Sequence, residues 1–399
     1  MTSEAFVWRW HPGATQPVLC GRLYVDGGTL WFVYRRIYRE SGDALALSPH
    51  MPMQSEPLMM RSAAILPRPF ADAGPDAWGR RVIEYRTRTS GLDELSYLVH
   101  NQGDRIGAFE FTSTTNTPQP APSHASLAEL TAAADALEHE RALSPELQDA
   151  LQHGTSIGGA RPKATLSDGE RSLIAKFSST TDQWPVVRAE YAGMRLAERC
   201  GISIPWIELV SVAGKDVLLL ERFDREPAPK GMRRRQLLSA LSLLDLEEAD
   251  GASARYTDLA ETLRRYGHVR DAHQLFRRMV YNILIGNTDD HAKNHSAFWD
   301  GTTARLTPAY DVVPYLRVGQ EANQAMVVGA EGRASTTRNA LSACECFGLT
   351  KENAATIVDE LEGTVRNEWR AVFEQAGIAD RFIDQYERTS ILSPVAVAR

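Results

Sequence analysis

The chain has 399 residues, enough for two domains or one large one, and its 43% hydrophobic and 24% charged residues are the balance of a soluble globular protein. A net charge of -7 excludes a chain that binds nucleic acid through overall basic character, and the basic run Lys230-Gly231-Met232-Arg233-Arg234-Arg235 reads as a solvated loop. Four scattered cysteines exclude a disulfide framework, Cys344-Glu345-Cys346 lacks zinc-ribbon spacing, and a reducing cytoplasm fits both. No apolar run approaches a membrane span, and Met1-Thr2-Ser3-Glu4 does not open a signal peptide, so none is expected.

The first hundred residues read as strand-rich. Arg22-Leu23-Tyr24-Val25 and Leu30-Trp31-Phe32-Val33-Tyr34 flank Asp26-Gly27-Gly28, a hairpin signal because glycine accepts positive φ. A helix is expected from Pro75 to Tyr85, and Gly107 to Phe111 suggests another strand. Thr112 to Ser126 has linker composition, with prolines at Pro118, Pro120 and Pro122, and a helix from Leu127 to about Glu140 follows.

From His153 the pattern changes. Thr165-Leu166 and Leu173-Ile174-Ala175-Lys176-Phe177 read as paired strands around Asp168-Gly169, and a helix from Glu190 to Cys200 closes at Gly201. Val217 to Phe223 is an apolar strand with a polar exit. After Gln236 the expectation is nearly all helix. Leu275, Phe276, Met279, Val280, Ile283 and Leu284 keep helical spacing, as do Ile357, Leu361, Val365, Trp369, Val372 and Phe373.

The first of these two helices delivers the chain to Gly286-Asn287-Thr288-Asp289-Asp290-His291-Ala292-Lys293-Asn294, and Asp311 follows in Pro308-Ala309-Tyr310-Asp311. An Asp, an Asn at a short fixed offset and a later Asp on a separate turn are what a protein-kinase-type site needs. One carboxylate accepts the hydroxyl proton and two oxygen donors hold a hard cation such as Mg²⁺. Asp290 competes with Asp289 for the base role, and only the spacing to Asn294 separates them. Upstream, Leu173-Ile174-Ala175-Lys176 resembles the strand that carries a kinase's ATP lysine, with Glu190 a candidate partner for Lys176. The kinase glycine loop G-x-G-x-x-G is absent. In its place stands Ser156-Ile157-Gly158-Gly159-Ala160-Arg161-Pro162-Lys163, whose glycines allow backbone N–H groups to approach phosphates.

Together these motifs resemble the HipA family, bacterial serine/threonine kinase toxins of type II toxin–antitoxin operons. Leu45-Ala46-Leu47-Ser48, Pro75-Asp76-Ala77-Trp78-Gly79-Arg80 and Gly103 to Ala108 are similar to its accessory domain. Ser156 to Lys163, Glu221-Arg222-Phe223-Asp224-Arg225, Gly286 to Asn294 and Pro308 to Asp311 are similar to its kinase domain. The resemblance implies an α+β protein: a strand-rich accessory domain over 1–115, a linker and connecting helix over 116–148, and a kinase-like domain over 149–399. That domain would have a small β-containing lobe to about residue 225 and a large all-α lobe beyond.

By the same resemblance, Asp289 is the proton acceptor. Gly158, Gly159, Ala160, Arg161 and Lys163 cover the ATP phosphates, and Lys176 binds them. Glu221, Arg222 and Phe223 form the adenine-binding connection, and His291, Lys293, Asn294, Tyr310 and Asp311 contact nucleotide, with Asn294 and Asp311 holding Mg²⁺. Ser156 is the autophosphorylation site whose added charge would repel ATP and silence the kinase. The implied partners are a helix-turn-helix antitoxin of the HipB type, operator DNA through that antitoxin only, and a protein substrate such as an aminoacyl-tRNA synthetase, all in a bacterial cytoplasm. Arg161-Pro162 and Asp290 depart from some members without removing a catalytic group. Two other readings are a catalytically silent co-repressor scaffold and a small-molecule kinase similar to aminoglycoside phosphotransferases.

Overall fold

The computed structural model describes residues 2–60, 65–101, 104–118, 125–139, 141, 143–144, 147, 161–169 and 171–398. Contacts divide the chain into two compact units. The first comprises Met1–Thr180, Val210–Leu238 and Trp299–Thr302, and the second Thr181–Leu209, Ser239–Phe298 and Thr303–Arg399.

The first unit is built on two sheets. Strands β1 (Glu4–Trp10), β2 (Pro17–Asp26), β3 (Thr29–Tyr34), β4 (Leu58–Met59) and β5 (Phe109–Thr112) form an antiparallel sheet in the order β4-β3-β2-β1-β5. The expected hairpin is present: Val25 pairs with Leu30, Asp26 with Thr29, and Gly27 and Gly28 turn the chain at φ 57° and 77°. Alternation along the strands places Val7, Leu23, Leu30, Phe32, Phe109 and Phe111 in one core, closed by Phe70 and by Leu95 and Leu98 of the helix Glu94–His100. The helix Ala77–Thr87 matches its expectation, and Leu127–Glu138 opens with a capping box between Ser126 and Glu129.

The second sheet holds β6 (Lys163–Ser167), β7 (Ser172–Phe177), β8 (Ile207–Val212) and β9 (Lys215–Glu221) in the order β6-β7-β9-β8. It belongs to the same unit as the N-terminal sheet, so the compact units cut the chain differently from the domains expected above. The indole Nε1 of Trp78 donates to the Lys163 carbonyl at 2.9 Å, one of the bonds between the two parts. The basic run differs from its expectation. Most of it is β11 (Gly231–Arg234), which pairs antiparallel in a hairpin with the preceding β10 (Arg225–Ala228), and Arg234 is enclosed with its guanidinium 4.0 Å from the Trp10 ring. A ring face and the Glu110 carboxylate, 3.6 Å away, replace the water that a solvated loop would give it.

The second unit is mainly helical: Val186–Arg199, Tyr256–Tyr266, Val269–Ile285, Lys351–Gln375 and Asp380–Thr389. The apolar positions expected on Val269–Ile285 are all fully buried. Those on Lys351–Gln375 are buried except Ile357, in whose place Val358 faces inward. The helix after β7 begins at Val186, earlier than expected, because Pro185 precedes it and its apolar face runs from Val186 to Ala197. The unit is not all helix. Beyond β12 (Leu237–Ser239), β13 (Ser296–Trp299) and β14 (Ala304–Leu306) lie side by side, and residues 307–336 carry no helix. Pro308 and Pro314 obstruct helix there, and backbone bonds such as Ala309 N–H to the Ser203 carbonyl, 2.7 Å, take its place.

Candidate active site

The loop that follows Val269–Ile285 is aimed by the end of that helix. Gly286 takes the left-handed conformation at φ 69°, and its N–H closes the last turn onto the Asn282 and Ile283 carbonyls. A side chain at Gly286 would come within 2.9 Å of the Ser390 carbonyl oxygen, so the position suits glycine on two counts. The chain then reverses through His291 N–H to the Asp289 carbonyl, 2.8 Å, and Asn294 N–H to the His291 carbonyl, 2.9 Å.

The two adjacent carboxylates now separate. Asp289 is exposed, and its Oδ2 accepts from the Tyr315 hydroxyl at 3.1 Å. Asp290 is buried at 2% exposure and is saturated with donors. It accepts from Asn282 Nδ2 at 2.7 Å, from the Tyr256 hydroxyl, and from His295 Nε2 at 3.0 Å. Burial alone would raise its pKa, but the charge of His295 and these hydrogen bonds outweigh that and hold it below the usual carboxylate range. Burial, then Asp290, pushes the Tyr256 phenol well above its ordinary value, so it remains a donor. A carboxylate so enclosed supports the loop. The carboxylate left facing solvent is Asp289, the one the spacing to Asn294 favours.

Asn294 is buried, with Nδ2 3.3 Å from the Asp289 carbonyl, which leaves Oδ1 as the atom offered to a ligand. Tyr310 ties the Asp311 turn to the loop, its hydroxyl donating to the Lys293 carbonyl at 2.8 Å beside Ser296 Oγ at 2.6 Å. Asp311 is half-buried and adopts φ 58°, a left-handed conformation that Asp tolerates better than most residues. An amide oxygen and a carboxylate suit Mg²⁺, which takes few protein oxygens and completes its shell with water and phosphate. Lys293 reaches Glu248 at 3.2 Å. Behind the loop, Arg278, Asp290, Asn294, His295 and Tyr310 line a small cavity with room for about one water. Arg278 is pulled down to about 10 by burial and donates to the Thr307 carbonyl.

Of the remaining expected residues that are described, all but Glu190 lie in the other unit. Lys176 stands in β7, opposite Lys163 of β6 and Leu218 of β9, half-exposed. Arg161 is half-buried and Lys163 buried. Glu190, buried on Val186–Arg199, belongs to the second unit. Ser156, Gly158, Gly159 and Ala160 lie outside the described residues. Glu221 and Phe223 are partly exposed, whereas Arg222 is buried at 2% and turns its side chain into an ionic cluster. Tyr315, Tyr256, Asn282, His295 and Arg278 were not singled out from the sequence. They converge from separate segments, and no local spacing marks them.

Comparison with known proteins adds an independent line. A family model for the HipA-like C-terminal domain matches residues 155–369, more than half of the chain, and one for the HipA N-terminal domain matches residues 15–112. A putative kinase, Y4mE of Sinorhizobium fredii, is 26% identical over 317 residues, 72% of each chain. The serine/threonine-protein kinase toxin HipA of Shewanella oneidensis is 27% identical over 184 residues, 40% of this chain and 42% of that one. Among solved structures, the Shewanella oneidensis HipA, HipB and operator DNA complex contains a chain that matches with TM-score 0.69 and 18% identity, over 95% of this chain and 94% of that one.

Proposed function

The chain belongs to the HipA family, and from that premise we propose that it is an ATP-dependent serine/threonine protein kinase acting as the toxin of a toxin–antitoxin pair. The observation that carries this reading is the split between the two loop aspartates. Asp289 faces solvent under the Tyr315 hydroxyl, while Asp290 is committed to Asn282, Tyr256 and His295.

Asp289 takes the proton from a serine or threonine hydroxyl. The freed oxygen forms a bond to the γ-phosphorus as the bond from that phosphorus to the departing ADP oxygen breaks. Asn294 Oδ1 and the Asp311 carboxylate would hold Mg²⁺, whose charge would offset that of the phosphates. Lys176 and residues 158–163 bind the phosphates, and the connection 221–223 receives adenine. His291, Lys293 and Tyr310 border the nucleotide. Ser156 is the self-phosphorylation site that silences the enzyme. The partners are a HipB-type helix-turn-helix antitoxin, operator DNA through it, and a translation factor of the aminoacyl-tRNA synthetase class as substrate. The solved HipA–HipB–operator complex of the Shewanella protein supports that assembly.

The test is intact mass and peptide mapping after incubation with ATP and Mg²⁺, wild type beside Asp289→Asn. One added phosphate on the Ser156 peptide, absent from the variant, is expected. A wild type that binds ATP, starts unmodified and gains no mass even with an aminoacyl-tRNA synthetase present would overturn the kinase reading in favour of the scaffold.

A further inference from the structure

The segment that the kinase reading assigns to adenine, Glu221 to Phe223, is held by a residue far outside the kinase match. Arg222 N–H donates to the Ser172 carbonyl at 2.8 Å, which fixes one side of the segment to β7. The other side is fixed by side chains. Arg222 Nη1 lies 2.7 Å from Asp104 Oδ2 and 2.8 Å from the Asp104 carbonyl, and Nη2 donates to the Arg105 carbonyl at 3.0 Å. Arg225 gives Nε and Nη2 to Asp104 Oδ1 at 3.1 and 2.9 Å, and Nη1 to the Gly107 carbonyl at 2.9 Å. Asp224, buried, takes Arg222, Arg225 and the Gly107 N–H at 2.8, 2.8 and 2.7 Å.

Asp104, Arg105 and Gly107 fall in the N-terminal family match and Arg222 to Arg225 in the C-terminal one. The cluster therefore joins two sequence families inside one compact unit. Its anchors are inward, with Arg222 and Asp224 buried and Glu221 and Phe223 left partly at the surface. Two guanidiniums share two carboxylates here. Without the Asp104 charge, Arg222 and Arg225 would face Asp224 alone, and their mutual repulsion in an enclosed site would move the segment that carries them.

We propose that Asp104 of the N-terminal domain is a positioning residue for the adenine-binding connection, so that this domain is an integral part of the nucleotide site. The inference rests on the kinase reading, and its test keeps the two apart. Full-length wild type, Asp104→Asn and Asp104→Glu are titrated with Mg·ADP and, separately, with inorganic tripolyphosphate, which has no base for the connection to hold. Asp104→Asn is expected to weaken Mg·ADP about tenfold while tripolyphosphate binding is unchanged, with Asp104→Glu restoring most of the loss. The KM for ATP should rise by a similar factor, with kcat at saturating ATP within about twofold.

Equal Mg·ADP affinity in Asp104→Asn overturns the proposal, and so does a loss shared equally by tripolyphosphate, which marks a merely structural role. Should Asp104→Asn not fold, Arg225→Lys keeps a cation without the fork geometry and must show the same selective loss. A wild type that binds no Mg·ADP defeats the kinase reading itself, and the proposal with it.

Discussion

Asp289 and Asp290 are neighbours of identical chemistry, and their surroundings set them apart, one exposed and one buried. Asp289→Asn removes an exposed acceptor with one side-chain hydrogen bond, so the melting temperature should hold while phosphoryl transfer falls by about 10²–10⁴-fold, the range for loss of a general base. Asp290→Asn leaves the Tyr256, Asn282 and His295 donors facing a neutral group in a buried site. That should cost roughly 1–3 kcal/mol, or about 2–4 °C in melting temperature for each kcal/mol. Calorimetry and a transfer assay on both variants read this directly. Full activity in Asp289→Asn, with transfer lost and melting unchanged in Asp290→Asn, would give the base role to Asp290. The spacing from Asp289 to Asn294 was legible in the sequence because the loop is short. The burial of Asp290 was not, because it is made by Tyr256 and His295 folding against it from outside the loop's own pattern.

At the scale of elements, the helix Val269–Ile285 and its cap act as the mount of the site. Its apolar spacing is strong enough to be read from sequence, and so is the β2–β3 hairpin, since both depend on residues close in the chain. The β10–β11 hairpin was misread for the converse reason: Arg234 is buried by Trp10 and Glu110, more than a hundred positions away. The mount can be tested at its last residue. Gly286→Ala meets a left-handed φ of 69° and the Ser390 carbonyl at 2.9 Å from the new Cβ. The conformation alone costs roughly 1–2 kcal/mol, and the collision adds to it. The same corner holds the residue that touches Asp289, because Tyr315 N–H donates to the Gly286 carbonyl at 3.2 Å and Ser390 Oγ to the Tyr315 carbonyl at 2.5 Å. Gly286→Ala should therefore lower the urea midpoint and reduce transfer together. A variant that loses stability but keeps full activity would show that the cap holds the helix without aiming the loop.

At the scale of the whole molecule, each compact unit holds carboxylate charge below its ordinary pKa range, two aspartates in the first and one in the second. In the first, burial would raise Asp104 and Asp224, but Arg222 and Arg225 overcome it and hold both below the usual range. In the second, Asp290 is held down by His295 and its hydrogen bonds against the same opposing burial. A depressed folded-state pKa means the unfolded chain binds the proton first as pH falls. The stabilisation is therefore fully present above the unfolded carboxylate value of about 3.9 and is lost on the way down to the folded one. These groups leave stability flat from pH 7 to 5. Below pH about 4, each withdraws up to roughly 1.4 kcal/mol per pH unit. Urea unfolding of wild type, Asp224→Asn and Asp290→Asn across pH 7 to 3 separates the units. The wild-type advantage over each variant should be constant down to pH 5 and shrink below 4, because the unfolded wild-type chain takes up a proton at this aspartate that the folded chain resists, whereas asparagine takes up none in either state. An advantage that stays undiminished at pH 3 would mean that packing rather than charge gives these residues their hold on the fold. An advantage that shrinks for one variant alone would locate the acid sensitivity in that unit.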